Sequence, residues 1–99
     1  MNTVTNLDEN TNAAVQEFLR KRLHRYGFER ADMHAGEDHS GDPALFIDAY
    51  YRLTKEPLER ELLVRLLTEL RGLLLNRGER RFPHVRHHFD EKQQVAKRK

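Results

Sequence analysis

Cysteine is absent from this 99-residue chain, so disulfides and thiolate metal sites are excluded. Without them the fold rests on its apolar core, and a single reducing-compartment domain is the simplest expectation. No apolar run approaches the roughly 18 residues that span a bilayer. Met1-Asn2-Thr3-Val4-Thr5-Asn6-Leu7-Asp8 has neither the basic nor the apolar region of a signal peptide, so a cytoplasmic location is expected. Serine is nearly absent too. Ser40 stands alone in a turn-like stretch, outside any G-x-S-x-G context. There is no glycine-rich phosphate loop, internal repeat or low-complexity segment. These gaps weigh against an enzyme, and no cofactor is implied.

What is present is charge, in blocks. The net +2 hides −3 over residues 1–19, +4 over 20–30, −5 over 31–48, +1 over 49–76 and +5 over 77–99. Segregation of this kind speaks to partners rather than to fold.

Apolar spacing organises the middle of the chain. Val15, Phe18, Leu19, Leu23 and Tyr26 recur at helical spacing, predicting an amphipathic helix capped at Thr11 or Asn12 and stopped by Gly27. A second helix is predicted from Thr54-Lys55-Glu56-Pro57 to Gly78. Its stripe of Leu58, Leu62, Leu63, Leu66, Leu67, Leu70, Leu73 and Leu74 is wider than one face needs.

Between the helices the period changes to two. Ala31, Met33 and Ala35 alternate with Arg30, Asp32 and His34. Leu45, Ile47, Ala49, Tyr51 and Leu53 alternate with Phe46, Asp48, Tyr50 and Arg52. Gly36 to Pro43 supplies turn chemistry between the runs. A β-hairpin follows, with an apolar odd face and a polar even face.

The expected fold is therefore α+β: a small two-layer α-β-β-α domain, an antiparallel hairpin packed against two amphipathic helices. Residues 1–10 read as a flexible leader, 11–89 as the domain and 90–99 as a mobile basic tail. A lone hairpin leaves two open edges, so the sheet is expected to be extended by dimerisation. Phe82 to Phe89 is the alternative source of a third strand, with Pro83 restricting it to an edge.

Three functional readings compete. The leading one is a non-enzymatic interaction or accessory protein, antitoxin-like or a subunit in a bacterium, acting as a homo-oligomer or on a larger partner. Its contact residues would be Glu37, Asp38, Asp42, Phe46 and Tyr50. The second is nucleic-acid binding through Arg20, Lys21, Arg25, Arg80, Arg81 and Arg86, although no RNP, GXXG, helix-turn-helix or zinc-finger signature supports it. The third is a metal-assisted hydrolase at Asp32, His34 and Asp48. Three registers are open there: Asp48 opposite Asp32, opposite Arg30 or opposite His34. His84, His87 and His88 form H-x-x-H-H, and on a helix His84 would share a side with His87 or His88. Zinc there would still lack a cysteine and the H-E-x-x-H pattern. More simply, they make a basic surface with Arg81 and Arg86.

Overall fold

The computed structural model describes residues 8–89. In chain order these form helix α1 (Glu9–Leu23), a single 3₁₀ turn (His24–Tyr26), strands β1 (Phe28–Glu37) and β2 (Pro43–Tyr51), helix α2 (Arg60–Asn76) and strand β3 (Phe82–Phe89). The fold is α+β: two helices on one face of a three-stranded mixed sheet, ordered β1-β2-β3. The expected leader up to residue 7 and the expected tail from residue 90 lie outside the described residues.

The hairpin forms where its period-two pattern places it, and β1 runs antiparallel to β2 with Asp32 opposite Asp48. Its tip is closed by Asp38. The Asp38 carboxylate accepts from the amides of Ser40 (2.9 Å) and Asp42 (3.0 Å), while Gly41 takes the left-handed conformation at φ +87°. At the other end, Glu29 is an extra residue between the Phe28–Tyr51 and Arg30–Tyr50 pairs. This bulge reverses the parity of the strand. It brings Phe28 onto the same buried side as Ala31 and edge-on to Tyr51, 6.0 Å between centroids.

The sheet is completed within the chain. β3 pairs parallel to β2 across α2, so the hairpin gains its third strand from Phe82–Phe89 rather than requiring a second copy. Pro83 is accommodated because β3 is an edge strand, where a missing ladder N–H is tolerated. The histidine-rich segment is therefore extended, not helical.

The core lies between the sheet and the helices. Val15, Leu19 and Leu23 of α1 and Leu66, Leu70 and Leu74 of α2 pack on Ala31, Leu45, Ile47, Ala49 and Tyr51. Of the broad leucine stripe, only Leu66, Leu70 and Leu74 are fully buried, every fourth residue on one side of α2. Leu53 departs from its expected place: it lies beyond β2 and is exposed.

Both helices start differently from their predicted positions. Asp8 caps α1, its carboxylate accepting from the Thr11 amide at 2.7 Å, so Thr11 becomes a buried first-turn residue. α2 opens at Arg60, after Pro57: Glu59 just before it is extended (φ −100°, ψ 146°), and Leu58 packs against the core from outside the helix. Its end matches the pattern predicted at Gly78. The Gly78 amide bonds Leu75 O (3.0 Å) and the Glu79 amide bonds Leu74 O (2.8 Å), a Schellman ending with Gly78 at φ +87°.

Candidate functional site: the helix-free sheet face

Both helices pack on the odd-numbered side of β1 and β2, so the even-numbered side chains form a second, helix-free face. The pairing of β3 adds His84, Arg86 and His88 to it. Three rows run across the strands: Arg30–Tyr50–His88, Asp32–Asp48–Arg86 and His34–Phe46–His84.

The outer rows are ladders of π systems. Phe46 stands between His34 (5.4 Å, 25°) and His84 (5.3 Å, 25°), and Tyr50 stacks on His88 (4.9 Å, 19°). These separations are close to the spacing of neighbouring strands, about 4.8 Å, so the rings stand side by side with their edges outward. Two guanidinium groups close the ladders: Arg30 lies 4.3 Å from the Tyr50 centroid and Arg86 lies 5.1 Å from that of Phe46.

The middle row supplies the charges and then cancels them. Asp48, 9% exposed, is the floor of the face. Arg86 grips it with Nε on Oδ1 (2.9 Å) and Nη2 on Oδ2 (3.0 Å), and His88 Nε2 reaches Oδ1 at 2.8 Å. Burial alone would raise the Asp48 carboxyl, but the hydrogen bonds from His88 and Arg86 outweigh it and hold the group below its ordinary value. Asp32 turns away from Asp48 and binds Arg30 at 2.7 Å. The two aspartates are thus register partners without being a dyad. His34 stacks on Phe46 instead of meeting Asp48. Asp32, His34 and Asp48 share one face, each with its own partner.

The remaining candidates are dispersed. Strand alternation puts His84 and His88 on the open face and His87 on the helix side. There His87 Nδ1 lies 2.6 Å from the Tyr51 hydroxyl. Among the described residues no group of three or more His, Asp or Glu side chains has metal-binding geometry. Glu37, Asp38 and Asp42 sit at the hairpin tip, Asp38 being committed to the turn. The six candidate cations also divide. Arg20 and Lys21 are on α1 and Arg25 follows in the 3₁₀ turn, on the helix side of the sheet. Arg80 and Arg81 precede β3, with Arg81 bound to Glu79 (2.7 Å), and Arg86 is held by Asp48. Of the nine face residues only Phe46 and Tyr50 belong to the expected contact set; Asp32, His34, Asp48, His84, Arg86 and His88 fall in the sets expected for catalysis, metal or nucleic acid, and Arg30 is in no candidate set. The signal for His84 and His88 was the alternation of His84, Arg86 and His88 with Pro83 and Val85.

Burial, with the neighbouring His88 in support, lowers His87 below its ordinary value near 6.5. Its protonation therefore opposes folding. Stability is full above pH 6.5 and falls as the pH drops from there toward the lowered folded value. Urea midpoints measured from pH 8 to pH 5 should show this loss, and His87→Gln should flatten it, whereas His39→Gln at the hairpin tip should not.

Searches against protein-family models, curated proteins and solved structures find no match to this chain. Among the described residues no helix is long and apolar enough to cross a membrane.

Proposed function

We propose that this chain is a non-enzymatic interaction protein, an accessory or regulatory subunit that docks a protein partner on the helix-free face of its sheet. The observation that carries this reading is a preorganised, charge-balanced patch of aromatic rings and arginines centred on Phe46 and Tyr50. Tyr and Arg are the residues that dominate protein–protein hot spots, and no lysine lies on these rows. Their mutual stacking fixes their rotamers before a partner arrives, which lowers the ordering cost of binding.

Charge balance separates this reading from nucleic-acid binding. A phosphate backbone is attracted by cations free to replace its counterions. On this face Arg30 is neutralised by Asp32 and Arg86 by Asp48. The rings also show their edges rather than the open π faces on which bases stack.

Quantitative affinity purification with the full chain tests the proposal. A stoichiometric protein partner should be retained, and Tyr50→Ala should weaken it by about 2 kcal/mol, roughly thirty-fold. Retention should change little between low and physiological salt. Binding of single-stranded oligonucleotides with a steep salt dependence, unaffected by Asp48-side substitutions, would overturn it.

A further inference from the structure

Alternation turns Pro83, Val85, His87 and Phe89 of β3 toward the helices, and of these His87 alone has a polar side chain. Its Nδ1 lies 2.6 Å from the Tyr51 hydroxyl. Burial pushes the Tyr51 hydroxyl up and the His87 imidazole down, so both are neutral at pH 7. The phenol is the better donor and the imidazole nitrogen the better acceptor, so Tyr51 donates to Nδ1. That bond sets the tautomer and leaves the ring proton on Nε2. This second nitrogen has no partner among the described residues, and it is not sealed in the core. Half of the imidazole is committed to the fold and half is not.

His87 forms one wall of a hollow of about 340 Å³ between α2 and β3. Small-ligand sites begin at about 300 Å³. Leu63, Leu66, Leu67 and Val85 give the hollow an apolar lining, and Arg60 is the only charged residue among the described ones that lines it. Glu56, four residues before Arg60, pairs with Arg25 instead. Glu59 and Glu61 flank Arg60 in sequence but do not line the hollow. The crossover then sets both polar groups at one end. Phe82, at the start of β3, lies 4.8 Å from the guanidinium of Arg71, late in α2. α2 therefore runs opposite to β3, and its first residue, Arg60, comes beside the far end of that strand, where His87 stands. Leu66, Leu67 and Val85 lie toward the middle of the two elements. The hollow thus has a polar end with one cation and one N–H donor, and an apolar length behind it.

We propose that this hollow binds a small aliphatic carboxylate, its two oxygens held by Arg60 and the Nε2–H of His87 and its alkyl chain lying against Leu63, Leu66, Leu67 and Val85. Charge selects this ligand over others of the same shape. A carboxylate gains charge-assisted hydrogen bonds at the polar end. An alkylammonium meets Arg60 as a like charge, and an alcohol forgoes the ion pair. The site lies on the helix side of the sheet and uses none of the open face.

Titration of the full chain with octanoate at pH 7, followed by calorimetry and NMR, provides the test. Octanoate should bind saturably at submillimolar concentration, moving the amides of residues 60–67 and 85–87 and the His87 Nε2 signal. Octanol and octylamine should each bind at least about ten-fold more weakly. Arg60→Gln should weaken octanoate by about ten-fold, the scale of one charge-assisted hydrogen bond, and leave octanol binding unchanged. Arg60→Lys should restore part of the loss. Arg60 is exposed, so the melting temperature without ligand should be the same in both variants as in the wild type. No saturable binding of octanoate, octylamine binding as tightly as octanoate, or shifts confined to the open sheet face would each overturn the proposal. Tyr50→Ala should leave octanoate binding intact, so failure here and failure of partner docking are separate results.

Discussion

Gly27→Ala should be among the most destabilising single-methyl additions to this chain, lowering stability by about 3 kcal/mol. Two causes act at one atom. Gly27 has φ +94°, a region that side-chain-bearing residues rarely adopt, and an added Cβ would lie 2.4 Å from the Arg52 carbonyl oxygen and 2.8 Å from Thr54 Cγ2. The Thr54 methyl could rotate aside. The Arg52 carbonyl cannot, because its own amide donates to the Gly27 carbonyl at 2.8 Å, tying the end of β2 to the end of the 3₁₀ turn. Relief would break that tie and shift Phe28 and Tyr51, which anchor this end of the core. For a domain of this size the melting temperature should fall by about 15 °C. Gly41→Ala and Gly78→Ala are the controls. Both positions share the positive φ, but neither has an atom within 4 Å of the new Cβ, so each should cost about 1 kcal/mol.

Asp48→Asn should loosen β3 selectively, at a cost of about 2 kcal/mol. Asp48 is the buried acceptor of Arg86 and His88, both on β3, and so is the polar tie between the central strand and the parallel edge strand. Asparagine fits the space. However, its NH2 takes the place of one carboxylate oxygen and cannot accept from the Arg86 guanidinium, so at least one of the three contacts must be lost. Hydrogen exchange should show faster amides over Phe82–Phe89 before β1 is affected. The acid limb should also change. The native carboxyl is held below its ordinary value of 3.8, so its contribution is complete above that pH and is lost as the pH falls through the lower folded value. Asp48→Asn should be weaker at pH 7 and lose this acid-dependent component. Equal protection of β3 in variant and wild type would contradict the role assigned to Asp48.

Period-two alternation made the hairpin legible, down to the division of Ala31, Ile47 and Ala49 from Asp32, Phe46 and Asp48. Register was not legible, because all three candidate registers preserve the apolar face, and burial alone could not choose among them. The bulge at Glu29 was equally hidden, since one extra residue leaves no compositional trace. β3 was obscured for two reasons. Pro83 argues against a strand except at an edge, and His87 puts a polar residue where alternation requires an apolar one. The second reason resolves into chemistry, since the Tyr51 hydroxyl gives the inward imidazole a partner. Once β3 is placed, the open sheet face follows. Without it, half of the aromatic ladders had no partners to be read from.

Completing the sheet by a parallel crossover also sets an order of events during synthesis. The hairpin and α1 need only neighbouring residues, so they can form as soon as they emerge. The inner edge of β2 must wait until the chain has been made from Tyr51 through to Phe89. At the usual elongation rates of about 5–20 residues per second, that interval is about 2–8 s. Throughout it, one edge of a strand carrying Leu45, Ile47 and Tyr51 is open to any other nascent strand. Conditions that slow elongation between residues 52 and 89 should therefore raise aggregation without altering the stability of the finished protein.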